Sequence, residues 1–150
     1  MKIGVISDTH GLLRDEVIDH LIGCDVILHA GDVTKGEIID KLHQIAPVFV
    51  VRGNNDKEEW AKQVPLFLRL VFEGRTFYMV HQKKDVPKDL AGIDLIIVGH
   101  SHRYEESMIG QIPLLNPGSC GGKRFNLPIT MAIIHLEADK MQIEPITLAV

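Results

Sequence analysis

Between residues 3 and 51, three short runs rich in Val and Ile alternate with two segments of helical period. Ile3 to Ile6, Val26 to Leu28 and Val48 to Val51 have the length and β-branched content of buried strands. Between the first two, Val17, Ile18, Leu21 and Ile22 recur at helical spacing, and between the next two Ile38, Ile39, Leu42 and Ile45 do the same. Thr34 followed by Glu37 predicts a capping box at the start of the second helix. The order is βαβαβ, which requires a mostly parallel sheet with right-handed crossovers.

After Pro65 the texture changes. Leu68 to Phe72 and Thr76 to Val80 flank Glu73-Gly74-Arg75 and read as a hairpin. Leu95 to Val98 is another buried strand. Tyr104 to Met108 with Ile112 to Leu115, and Met131 to Leu136 with Met141 to Ile146, read as two further hairpins. The expected architecture is two sheets packed face to face with helices outside. The 150 residues suit one domain, residues 1–150, because a single core grows to this length without splitting. With 45% apolar and 24% charged residues the chain has the composition of a packed globular protein.

Five of the apolar runs end in residues of one chemical kind. The first ends in Ser7-Asp8-Thr9-His10, the second in Gly31-Asp32, and the third in Gly53-Asn54-Asn55-Asp56. The run at Thr76 ends in His81, and that at Leu95 in Gly99-His100-Ser101-His102. Carboxyl ends of strands in open α/β sheets converge on one crevice, so ligands scattered through the sequence meet there in space. Singly, Asp8 and Asp32 could cap the following helices, Asn54 or Asp56 could form turns, and any one His could be a hydrogen-bonded core residue. Together, two carboxylates, one carboxamide and four of the eight histidines at strand ends read as a metal site.

Imidazoles mixed with carboxylates favour Mn, Fe, Co, Ni or Zn over Ca or Mg. Seven candidate ligands, Asp8, His10, Asp32, Asn54, His81, His100 and His102, exceed what one four-coordinate ion needs, so two divalent transition-metal ions are implied. Ions about 3.5 to 4 Å apart need a bridge, which a carboxylate supplies best. Two such ions, two Asp residues and one hydroxide leave a formal charge of about +1, for which a small anionic phosphate ester is the natural substrate.

The ordered series Asp8-x-His10, Gly31-Asp32, Gly53-Asn54, His81 and Gly99-His100-x-His102, closed by Asn116-Pro117-Gly118-Ser119, resembles the calcineurin-like metallophosphoesterase superfamily, and its small bacterial and archaeal phosphodiesterases in particular. The resemblance implies an α/β fold, a four-layer αββα sandwich of two mixed sheets flanked by helices. It implies one ion held by Asp8, His10, Asp32 and His102 and another by Asp32, Asn54, His81 and His100, with Asp32 bridging. Manganese is the first expected metal, with Fe, Ni, Co or Zn as alternatives. A hydroxide between the metals would attack phosphorus in line, with Asp32, Asn54 and His81 as catalytic residues.

Two positions depart from that pattern. Asn55 stands where many members carry a His that binds phosphate and protonates the leaving group, and an amide cannot act as an acid. His81-Gln82-Lys83 stands where small members often read His-Gly-His, so Lys83 becomes a candidate phosphate grip beside Asn55, with a solvated loop cation as the alternative. His29, three positions before Asp32, reads as a hydrogen-bonded strand residue, with support of a metal ligand as the alternative; Arg52, beside Gly53, and Arg124, in the Gly121-Gly122-Lys123-Arg124 loop, read as surface cations, with contact to a phosphate group as the alternative.

The rival reading is a metal-binding scaffold or interaction module of the same fold, as in a retromer-coat subunit that has lost part of the metal set; here the set is complete, including His10. A metallo-β-lactamase-like hydrolase would need an early His-x-His-x-Asp-His run, which is missing. Lys plus Arg number 16 against 20 Asp plus Glu, a net charge of −4, so no extended nucleic-acid surface is expected. No apolar run approaches a membrane span, and Cys24 and Cys120 lack disulfide or zinc spacing. The cytoplasm is therefore the expected compartment, and a homo-oligomer is left open.

Overall fold

The computed structural model describes residues 1–150. Ten strands and two α-helices follow in chain order. They are β1 (Lys2–Ile6), α1 (Asp15–Leu21), β2 (Val26–His29), α2 (Gly36–His43), β3 (Val48–Val50), β4 (Phe67–Phe72), β5 (Arg75–Val80), β6 (Leu95–Ile97), β7 (Tyr104–Ile109), β8 (Ile112–Pro117), β9 (Thr130–Glu137) and β10 (Lys140–Thr147). They form two five-stranded mixed sheets, ordered β10-β9-β1-β2-β3 and β4-β5-β6-β8-β7. The β1-β2-β3 core of the first sheet is parallel, and the β9-β10 hairpin extends it antiparallel to β1.

Side-chain alternation sorts the core into layers. Ile3 and Val5 of β1, Val26 and Leu28 of β2, Phe77 and Met79 of β5 and Leu95 and Ile97 of β6 fill the space between the sheets. The opposite face of the first sheet, with Ile6, Ile27, Met131 and Ile133, packs under Val17 and Leu21 of α1 and Ile38 and Leu42 of α2. The outer face of the second sheet carries Tyr78, Val80, Ile96 and Leu114.

The fourth layer is thinner than expected. Residues 81–94, which include Val86, Leu90 and Ile93, cover the outer face of the second sheet with a single 3₁₀ turn, Lys83–Asp85, in place of an α-helix. Pro87 follows that turn closely, and proline removes a backbone donor that a continuing helix would need. The predicted capping box is also absent. Thr34 lies two residues before the helix in the left-handed region (φ 63°), Lys35 occupies the N-cap, and no side chain caps the helix. No helix is long and apolar enough to cross a membrane.

Candidate metal centre

The segments after β1, β2, β3, β5 and β6 meet at one end of the sandwich. Backbone hydrogen bonds lace the first two together: Asp8 N–H donates to Gly31 O at 3.0 Å and His10 N–H to Asp32 O at 3.0 Å. Six non-glycine residues in these segments, Asp8, His10, Asp32, Thr34, His100 and His102, have φ between 46° and 75°. Each such residue costs on the order of 1 kcal/mol or more, and such strain collects where a site demands particular side-chain directions. Close backbone approach adds a second constraint. A Cβ at Gly53 would collide with the Asp32 carboxylate, and one at Gly99 would collide with the Ser7 hydroxyl and Asp8.

Two groups of ligand atoms result, one from Asp8, His10 and His102 and the other from Asp32, His81 and His100, the atoms of each lying within 4.8 Å of one another. Atoms within that limit can converge on a single ion at metal–ligand distances of ~2 Å. In the first group His10 Nε2 lies 3.6 Å from Asp8 Oδ1 and 3.2 Å from His102 Nε2. In the second, His81 Nε2 lies 3.3 Å from Asp32 Oδ2, and Asn54 Oδ1 lies 3.1 Å from His100 Nδ1. Asp32 Oδ2 also stands 3.5 Å from His10 Nε2, so one carboxylate oxygen faces both groups.

The polar atoms of the centre are divided between anchoring and presentation. Asp8 Oδ2 accepts from the Ser7 hydroxyl at 2.7 Å and from His100 N–H at 3.0 Å, while the buried Oδ1 has no hydrogen-bond partner. His81 Nδ1 lies 2.7 Å from Ala30 O, which can only accept, so this nitrogen carries the proton and Nε2 presents a lone pair when the ring is neutral. That buried Nε2 also lacks a hydrogen-bond partner, despite the Asp32 carboxylate nearby. Buried orphaned atoms are costly and require an explanation. A divalent transition metal supplies one, because the donors are imidazole nitrogens and carboxylate oxygens at matching spacing.

The charges are coupled. Burial pushes the Asp8 carboxyl up, but His10, His102, His81 and Ser7 outweigh it and hold the group well below the ordinary carboxylate range. Burial likewise opposes the charged form of Asp32, and His81 and the Asn55 backbone N–H overcome it, so its pKa is lowered. The Asp8 carboxylate raises the pKa of His10 against the effect of burial. His81 is penalised by burial and raised on balance by Asp32 and Asp8.

Supporting residues surround the candidate ligands. The backbone and side-chain amides of Asn55 both donate to Asp32. Asp56, one of the turn formers of the sequence, accepts from the N–H groups of Asp32 at 2.9 Å, Gly53 at 2.8 Å and Thr34 at 2.8 Å, tying two ligand-bearing loops together. His29 is fully buried; its Nδ1 accepts from Gly31 N–H at 3.1 Å, so its Nε2–H donates to Thr9 Oγ1 at 3.0 Å. In the Asn116–Ser119 loop, Asn116 Nδ2 donates to Gly99 O at 3.0 Å and Ser119 Oγ to Asp8 O at 2.9 Å.

Lys83 takes no part in this centre. Its Nζ donates to Glu105 Oε2 on β7 at 2.9 Å, and it lines neither cleft beside the ligands. The cations that do reach the site are Arg124 and Arg52, so the phosphate-contact alternative fits their positions better than the surface reading that the sequence favours. Arg124 lines a cleft of about 360 Å³ with Asp32, Asn54, Asn55 and His100. Arg52 lines a second, of about 450 Å³, with Asn54 and His81. Their position beside Gly53 and in the Gly121-Gly122-Lys123-Arg124 loop was the available signal.

Comparison with known proteins agrees with this geometry. A probable metallophosphoesterase of Methanocaldococcus jannaschii is 36% identical, with 96% of this chain and 82% of the relative covered. A phosphodiesterase of the same organism is 27% identical over 91% of this chain and 94% of its own. The crystal structure of a Vps29 mutant from Entamoeba histolytica superposes with a TM-score of 0.83 over 99% of this chain and 93% of its own, and at 23% identity it attests the fold alone. The calcineurin-like phosphoesterase superfamily domain matches residues 1–139, and with strand ends, carboxylates and imidazoles arranged as described, the chain belongs to that superfamily.

Proposed function

We propose that the chain is a one-domain phosphodiesterase that works with two divalent transition-metal ions, manganese first among them. Asp8, His10, Asp32 and His102 would hold one ion, and Asp32, Asn54, His81 and His100 the other. The observation that carries this reading is the position of Asp32 Oδ2, 3.5 Å from His10 Nε2 and 3.3 Å from His81 Nε2, between the two ligand groups. Bound there, the ions supply Lewis acidity to the phosphoryl oxygens and bring the pKa of water down toward neutrality.

The chain's own residues do the positioning. Asp32, which would be the ligand common to both ions, is held against rotation by the two Asn55 donors. His81, fixed by Ala30 O, presents Nε2, and Asn54 offers its carbonyl oxygen beside His100. Arg124 places a positive charge in the cleft where phosphoryl oxygens would lie. Lys83, paired with Glu105, has no place in this scheme.

Preference for diesters rests on the two clefts. Both are lined by Asn54, so a phosphoryl group seated there has one groove for each ester arm, and the 27% identical relative is itself named a phosphodiesterase. The unpartnered Asp8 Oδ1 and His81 Nε2 speak against an interaction module without metal, and turnover separates the enzyme from a metal-binding scaffold. Both cysteines are free and buried, as suits work in the reducing cytoplasm. Hydrolysis of bis(4-nitrophenyl) phosphate by manganese-loaded protein, abolished by Asp32→Asn and by chelation, tests the proposal. Chelation-insensitive turnover, or none, would count against it.

A further inference from the structure

The cleft that opens beside Asn54 and His81 has more character than a water-filled notch. Its wall is an aromatic pair: Phe67 on the edge strand β4 stacks on Tyr78 of β5, with ring centroids 5.5 Å apart and planes 14° apart. Tyr78 is nearly buried, whereas Phe67, lying over it, remains 55% exposed. An apolar ring held flat and left half open to solvent is unspent contact surface. Arg52 lines the same cleft, its backbone N–H bonded to Pro65 O at 2.8 Å, which ties the end of β3 to the approach of β4. The remaining charged lining residue is Asp85.

We propose that this cleft seats a flat aromatic ring carried on one ester arm of the phosphodiester. The inference rests on the phosphodiesterase reading, which places the phosphoryl group at Asn54 and His81. Three features select this occupant. The Phe67–Tyr78 wall offers a face on which any planar ring stacks, whatever its substituents. Arg52 adds a cation suited to a ring face or to a phosphoryl oxygen at the cleft's inner end. Asp85 repels a second phosphate and accepts a hydrogen bond, so the arm is neutral and its best fit carries a further N–H or O–H group, as a nucleoside does. A cleft of about 450 Å³ accommodates a ring of that size and excludes nothing smaller, so it acts through added affinity.

Phenylphosphonate and methylphosphonate test the cleft without turnover, because their carbon–phosphorus bonds are not ester bonds. Calorimetry on the manganese-loaded full chain should show phenylphosphonate binding about ten-fold tighter, the scale of one stacked ring. Phe67→Ala should reduce that ratio to about two-fold, and Phe67→Trp should keep it or raise it. Val71→Ala, an exposed change on the same strand, should leave it alone. Equal affinities in the wild type, no binding of either phosphonate, or a ratio indifferent to Phe67→Ala would overturn the proposal. Methyl 4-nitrophenyl phosphate, whose second arm is a methyl group, separates the two readings. Its metal-dependent hydrolysis together with equal phosphonate affinities would sink the aromatic cleft and leave the diesterase. A preserved phenyl preference without any hydrolysis would sink the diesterase and leave the cleft.

Discussion

Asn55 grips both oxygens of Asp32: its backbone N–H donates to Oδ1 at 2.8 Å and its side-chain amide to Oδ2 at 3.0 Å. The amide therefore stabilises the carboxylate that faces both ligand groups, and it has no proton to give to a leaving group. A positioned general acid contributes roughly 10² to 10⁴-fold, most where the leaving group is poor. The wild type should cleave an aryl phosphodiester measurably and alkyl monoesters such as phosphoserine far more slowly. Asn55→His should narrow that gap. Steady-state kinetics at matched metal loading decide the matter, and faster cleavage of the alkyl monoester with no response to Asn55→His would refute the argument.

In the proposed centre Asp32 is common to both ligand sets, which separates it from the terminal ligands. Asp32→Asn should impair both metal sites, whereas Asn54→Ala, which removes one carbonyl donor beside His100, should weaken chiefly one. Metal titration of the two variants by calorimetry reads the difference directly. Retention of both ions and normal turnover in Asp32→Asn would show that the bridge is misassigned.

Asp56 has a structural task. Its carboxylate satisfies three backbone N–H groups, and two of them, at Asp32 and Thr34, belong to residues in the left-handed region. Removing a buried acceptor leaves each donor with a penalty of about 1–3 kcal/mol. Asp56→Ala should therefore cost on the order of 3 kcal/mol or more in denaturant unfolding and should weaken metal retention as well. A midpoint within error of the wild type would contradict this role.

Burial drives the pKa of His29 from 6.5 down to about 4. Between those values the unfolded chain takes up a proton that the folded chain refuses. The contribution of neutral His29 is thus complete above pH 6.5 and is lost as the pH falls to about 4, a change of roughly 3 kcal/mol. His10 and His81, whose pKa values are raised, act in the opposite sense, so the comparison must be with His29→Gln. In metal-free protein the stability difference between wild type and His29→Gln should shrink as the pH is lowered through that window. A constant difference would mean that His29 titrates normally.

The sheets and the meeting of the strand ends were legible in the sequence because both are local signals. Val and Ile runs mark the strands, and residues immediately after them share an end of the sheet whatever the loops do. What the sequence concealed depends on contacts between distant segments. Lys83 pairs with Glu105 on another strand, a partner that no pattern around His81 announces. Arg124 enters the cleft because its loop folds over Asn54 and His100, and Asp56 collects donors from residues 22 to 24 positions earlier. Thr34 and Glu37 have the spacing of a capping box, but Thr34 N–H is drawn to Asp56 and the helix starts later.

The central claim is that two ions sit side by side on either side of Asp32. Protein prepared without chelator and reconstituted with manganese should contain about two ions per chain by elemental analysis, with hydrolysis of an aryl phosphodiester rising as the second equivalent binds. One ion per chain at saturation, or no bound metal and no metal-dependent hydrolysis under any reconstitution, would contradict it.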